Sequence, residues 1–222
     1  MIKYGLISET DGLTLQKVLD LILSENPESC LTHENIMTST PICITEVGLF
    51  DCGTAGGIFS YLSTKCAIRY TGIDNEVLKP IKAPEYINYI KGNSSDVYNQ
   101  IEDNSQHLIF IDGCHTFPAV IADFFCYAPK VKPRGYIAFH DSGRHINPLH
   151  GWQGVGDKND PDFCLGGVRK ALDTIGLFNR WGGCSLSGEM IDHTGCRGFE
   201  LIFDEADTND EAGGITVFKR LY

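Results

Sequence analysis

The sequence predicts a doubly wound α/β fold: a mostly parallel seven-stranded sheet with helices on both faces, ended by an antiparallel C-terminal hairpin. Three observations predict it. Short apolar runs alternate with segments of helical periodicity between residues 47 and 139, the pattern of right-handed βαβ units on a parallel sheet. Runs such as Leu108-Ile109-Phe110-Ile111 are apolar at consecutive positions, as strands covered on both sides require. The last two runs, Phe199–Phe203 and Ile215–Lys219, are joined by the acidic, glycine-containing segment Asp204–Gly214, which reads as a hairpin.

The elements follow in order. Leu15, Val18, Leu19, Ile22 and Leu23 recur at helical spacing, so Leu13–Ser24 is expected as a helix with Asp11 as N-cap and Pro27 as its stop. The polar stretch Glu28–Pro41 connects it to a first strand, Val47–Cys52, ended by Gly53. Gly57–Lys65 is expected as a helix, Ala67–Ile73 as the second strand and Tyr86–Lys91 as the third. Ser95–Ile101 suits a short helix, His107–Ile111 a strand, Phe117–Tyr127 a helix and Tyr136–Phe139 a fifth strand. The turn Lys132-Pro133-Arg134-Gly135 introduces that fifth strand. Ser142–Asp162 is a long loop rich in Gly, Pro, Asn, Asp and His, and Cys164–Ile175 reads as a helix. We read residues 1–222 as a single domain, with 1–45 as a helical extension and 142–162 as a lid or binding loop.

Composition narrows the function. The 222 residues are 42% hydrophobic and 21% charged, with a formal net charge of -11, and Lys and Arg form no basic patch. Such a chain repels phosphate backbones and anionic membranes, so neither nucleic acid nor membrane is expected as a partner. Nine cysteines, an odd count with no C-x-x-C pair, fit neither a zinc site nor a disulfide framework. They read as reduced, mostly buried small hydrophobes, hence a cytoplasmic protein. No run approaches the ~20 apolar residues of a membrane-spanning helix.

Ligands of open α/β sheets bind beyond the carboxyl ends of the strands. The first strand end reads Asp51-Cys52-Gly53-Thr54-Ala55-Gly56-Gly57, where glycines permit close backbone approach and a helix start offers free N–H groups. Its spacing is not the G-x-G-x-x-G of dinucleotide enzymes. The second strand ends in Asp74, placed to accept two ribose hydroxyls or to cap the following helix. The third ends in Gly92-Asn93-Ser94-Ser95-Asp96, where Ser94 and Ser95 can line an adenine edge, cap a helix, or do both.

These turns, in this order, resemble class I S-adenosylmethionine-dependent methyltransferases, and the resemblance runs from Glu46 to Tyr222. It implies the Rossmann-like methyltransferase fold with a reversed terminal strand. It also implies S-adenosylmethionine as cofactor, bound across Asp51, Gly53, Thr54, Gly56, Asp74, Ser94, Ser95 and Asp112. Gly92–Asp96 is similar to catechol O-methyltransferase and its relatives. Ile111-Asp112-Gly113-Cys114-His115 and Phe139-His140-Asp141 resemble the small-molecule O-methyltransferases grouped with cephalosporin-hydroxylase-like proteins. The acceptor is then a hydroxyl of a small molecule.

Asp112 and Asp141 end the fourth and fifth strands, and adjacent strands lie about 4.8 Å apart, so both carboxylates can reach one hard cation. The expected set is Asp112, His140 and Asp141 around magnesium or another divalent cation. His115 stands where the catechol enzymes place a basic lysine, three residues after the first acidic ligand. It is expected either as the acceptor's general base beside Asp112 or as a structural histidine. Trp152, in the long loop with His145 and His150, is a candidate to cover an acceptor ring or sugar face or to anchor the loop. Two other readings remain: an NAD(P)-dependent oxidoreductase, and a non-catalytic nucleoside-binding module of the same fold.

Overall fold

A computed structural model of the chain describes residues 7–31, 39–75, 84–142, 167–175, 198–204 and 214–222. Helix α1, Glu9–Glu25, starts at Ser8, whose hydroxyl accepts the Asp11 N–H at 3.1 Å. Asp11 is therefore not the cap; it is buried and faces the sheet. Leu15, Val18, Leu19 and Ile22 form the buried stripe of this helix.

Strands β1 (Ile42–Val47), β2 (Ile68–Asp74), β3 (Ile87–Lys91), β4 (Gln106–Ile111) and β5 (Val131–Phe139) are joined by helices α2 (Gly53–Leu62), α3 (Ser94–Val97) and α4 (Phe117–Tyr127). Helix α5 (Gly167–Thr174) and strands β6 (Phe199–Asp204) and β7 (Thr216–Arg220) complete the described elements. The sheet order is β3-β2-β1-β4-β5-β7-β6. The first five strands are mutually parallel, and β7 runs antiparallel to both β5 and β6. The order reverses between β1 and β4, which opens a crevice above their tips.

Alternation splits the sheet's side chains between two cores. Ile42, Ile44, Leu108, Phe110, Tyr136 and Ala138 pack with α1 and α2. Ile109, Ile111, Ile137 and Phe139 pack with Val120 and Phe124 of α4 and Leu172 of α5.

Two boundaries differ from the sequence reading in ways that matter for the site. The first strand is Ile42–Val47, not Val47–Cys52. Its polar residues are buried and paired: Thr45 donates to Gln106 at 3.0 Å, and Glu46 accepts the Tyr70 hydroxyl at 2.6 Å. Lys132–Gly135 lies inside β5 as an irregularity, with Arg134 at φ 67°, rather than as a turn before it. Among the described residues, Cys43, Cys52, Cys66, Cys114 and Cys126 are free thiols. No helix among the described residues is long and apolar enough to cross a membrane. Trp152, His145, His150 and the 142–162 loop after Ser142 lie outside the described residues, as does the start of the helix expected from Cys164.

Candidate active site

The strand tips are levelled by hydrogen bonds that continue the ladders one residue past each strand. Gly48 donates to Ile73 O at 2.8 Å, Asp112 to Val47 O at 2.8 Å, His140 to Ile111 O at 3.0 Å, and Gly92 to Asp74 O at 3.0 Å. Gly48, Asp74, Asp112 and His140 therefore stand at one height, with Asp141 one residue further out. Above them lies a cleft of about 560 Å³.

The turn after β1 is built by Gly48 and Asp74. Gly48 has φ +90°, and a Cβ there would sit 2.2 Å from Asp112 O, so only glycine fits. Asp74 accepts the amides of Leu49 and Phe50 on Oδ2 at 2.9 and 3.0 Å. Asp51 Oδ1 accepts the Gly53 N–H at 2.9 Å at the start of α2. Asp51, Thr54, Asp74, Ser94, Ser95 and Asp112 all line the cleft, as the sequence reading placed them. Gly53 and Gly56 do not. With β1 ending at Val47, the glycine at the strand tip and in the cleft wall is Gly48, and Gly53 and Gly56 belong to α2. Placing the strand correctly would have found it, since Glu46-Val47-Gly48 ends the true run.

At the β4 and β5 tips, Asp112, His115 and Asp141 offer ligand atoms that all lie within 4.8 Å of one another. His115 Nδ1 is 3.0 Å from Asp141 Oδ2, and Nε2 is 3.4 Å from Asp112 Oδ1. That Nε2 is buried and makes no aligned hydrogen bond among the described residues. Two carboxylates and an imidazole with an unsatisfied nitrogen suit a divalent cation. Asp141 sits at φ 52°, in the left-handed region that costs a non-glycine residue strain. Its neighbour Ser142 is tied to β7 through Gly214 O at 3.1 Å and the Thr216 hydroxyl at 2.7 Å.

His140 does not join this triad. It shares sheet parity with Tyr136 and Ala138, so it points to the α1 face. There Nε2 lies 3.3 Å from Asp11 Oδ2 and Nδ1 lies 3.0 Å from Asp112 Oδ1. Both ring nitrogens face carboxylates, and its place in the expected ligand set passes to His115. The start of α1 is thus part of the site: Ile7 and Ser8, just before the helix, line the cleft, and Asp11, 1% exposed, backs His140.

Electrostatics are governed by burial and by these pairs. For His115, burial opposes charging, but close contact with the Asp112 and Asp141 carboxylates and their charges outweigh it and raise the imidazole to about 9. Burial likewise opposes ionisation of Asp112, and His140 and His115 overcome it, holding the carboxyl down at about 2. With no cation between the carboxylates, His115 carries a proton at neutral pH, which weighs against its expected role as general base. Glu46 is pushed well up by burial, against the pull of the Tyr70 hydroxyl.

Residues 51–142 match the family described as a methyltransferase domain. Among solved structures, the cofactor-bound Rv0187 from MTB superposes with a TM-score of 0.59 at 11% identity, covering 99% of this chain and 84% of that one. A Corynebacterium glutamicum protein gives 0.53 at 14% identity, with the same coverage. MycE methyltransferase of the mycinamycin biosynthetic pathway, in complex with Mg and SAH, gives 0.52 at 16% identity, covering 91% of this chain and 53% of that one. The uncharacterized protein y4gI of Sinorhizobium fredii is 36% identical over 59 residues, 27% of this chain and only 6% of its own length. The fold is that of class I methyltransferases, as the resemblance implied.

Proposed function

We propose, on the premise that residues 51–142 are a class I methyltransferase domain, that the protein moves the methyl group of S-adenosylmethionine to a hydroxyl of a small molecule. The observation that carries this reading is the charge of the cleft. Asp51, Asp74, Asp112, Asp123 and Asp141 line it with the imidazoles of His115 and His140, the buried Glu46 is held toward its neutral form, and no Lys or Arg lines it among the described residues. A sulfonium and an α-ammonium are favoured by such walls, whereas a dinucleotide's pyrophosphate is repelled. The amides of Leu49 and Phe50, which could cradle a phosphate, already donate to Asp74. Both facts disfavour the NAD(P)-dependent oxidoreductase. The acidic triad beside the cleft favours catalysis over a bare nucleoside-binding module.

In this reading the Asp74 carboxylate receives the ribose hydroxyls, Gly48 lets the cofactor lie against the β1 tip, and Asp51 and Thr54 face its methionyl end. Ser94 and Ser95 line the adenine edge. Asp112, His115 and Asp141 would hold a divalent cation. Bound there, a cation of the magnesium type supplies a lowered pKa for a coordinated acceptor hydroxyl. The acceptor oxygen bonds to the methyl carbon as the carbon–sulfur bond breaks, sulfur keeps the electron pair, and the hydroxyl proton passes to solvent water. His140, wedged between Asp11 and Asp112, keeps Asp112 Oδ1 in place, and the cleft walls hold the reactants in line.

Thermal unfolding tests the reading. S-Adenosylhomocysteine at ~100-fold its Kd should stabilise the protein by about 2.7 kcal/mol, a rise of roughly 5–10 °C, while NAD should leave the midpoint unchanged. A shift with NAD and none with S-adenosylhomocysteine would overturn it.

A further inference from the structure

One buried acid in the cleft has no part in the chemistry above. Asp123 lies in α4, is 2% exposed and lines the cleft. Its Oδ1 accepts the Ser94 hydroxyl at 2.5 Å, which ties α4 to the tip of β3. Among the described residues it makes no ion pair, and burial raises its carboxyl to about 6, with only the Ser94 hydrogen bond pulling it down. A buried carboxylate so placed lacks donors, and a ligand can bring them.

The surroundings define the donor's shape. Ala119, Ala122 and Asp123 all line the cleft and lie three and four residues apart on one face of α4. Two methyl groups thus form a low wall beside the acid. Gly113 lines the same region, and a Cβ on it would stand 3.9 Å from Asp123 Oδ2 and 3.4 Å from Val47. This part of the cleft is apolar along its sides and acidic at its back, which suits the edge of a flat ring carrying an amino group.

We infer that Asp123, oriented by Ser94, is the specificity-determining residue that reads the exocyclic amine of the cofactor's adenine and rejects a 6-oxopurine. This rests on the proposed cofactor. The carboxylate accepts from an amine but faces a keto oxygen with lone pair against lone pair. A site built to accept a donor discriminates strongly against the analogue that lacks it. Ser94 thereby acts on the base through Asp123 as well as lining its edge.

Calorimetric titration with S-adenosylhomocysteine and with S-inosylhomocysteine, its 6-oxo analogue, tests the assignment. The wild-type protein should prefer the adenine compound by at least about 30-fold. In Asp123→Asn the preference should fall to within about 3-fold, because the amide can turn its NH2 toward the keto oxygen. Ser94→Ala, which leaves the acid in place, should lose a smaller part of the preference. Circular dichroism checks that each variant is folded, and Ser94→Ala carries the test if Asp123→Asn is not. Equal affinities in the wild type, or an undiminished preference in a folded Asp123→Asn protein, overturn the assignment of Asp123 and leave the cofactor reading standing. Failure of the wild type to bind S-adenosylhomocysteine at all overturns both.

Discussion

Single residues at the strand tips combine roles that the sequence shows only in part. Asp112, Asp141 and His115 were legible because each follows an apolar run closely, and polar groups after buried strands face the crevice. The role of His140 was not. Its partner Asp11 is 129 positions away, and only the packing of α1 against the sheet brings them together. Gly48 was hidden by a misplaced strand, yet it has a sharp test. Gly48→Ala drives a Cβ to within 2.2 Å of Asp112 O at φ +90°. It should destabilise the protein by about 2–4 kcal/mol in urea unfolding. A loss below about 0.5 kcal/mol would mean that the turn does not pack against Asp112 as described.

Among the elements, α4 was read residue for residue, and β2 through β4 within one, because long apolar or strongly periodic segments leave little choice. Strand β1 was read late because Thr45 and Glu46 interrupt its apolar pattern, and their partners Gln106 and Tyr70 come from other strands. A similar cross-strand contact joins β1 to β4. His107 Nδ1 accepts the Cys43 amide at 3.0 Å, and its Nε2 lies 3.0 Å from Lys132 Nζ. Burial, then the Lys132 charge, lowers this imidazole to about 4. In the unfolded chain it titrates near 6.5. Its stabilising effect is therefore complete above pH 6.5 and is lost as pH falls toward 4, since the unfolded chain binds the extra proton there. The loss should be on the order of 2–3 kcal/mol, and His107→Gln should flatten stability between pH 6.5 and 4. Identical acid profiles for the two proteins would show that His107 does not supply this sensitivity.

At the scale of the whole molecule, the fold gathers several acidic residues of a chain with net charge -11 into one cleft. The sequence reported the charge, but only the sheet order brought Glu46, Asp74, Asp112, Asp123 and Asp141 to a common wall. The proposed cation site rests on the Asp112 and Asp141 part of that wall. With S-adenosylhomocysteine present, magnesium or manganese should bind in calorimetry. Asp141→Ala and His115→Ala should each weaken that binding by about 10-fold or more. An unaltered affinity in both would remove the triad as the cation site and leave positioning as the main source of rate.

In the proposed function a cationic, adenosyl-bearing cofactor sits over the tips of β1, β2 and β4. The most direct measurement is the affinity of S-adenosylhomocysteine for the wild type and for Asp74→Ala, by calorimetry. Removing a charge-assisted pair of ribose contacts should weaken binding by ~1.5–3 kcal/mol, about 10- to 150-fold, in a variant whose unfolding curve shows it folded. Equal affinity in the two proteins, or no affinity in either, would contradict it.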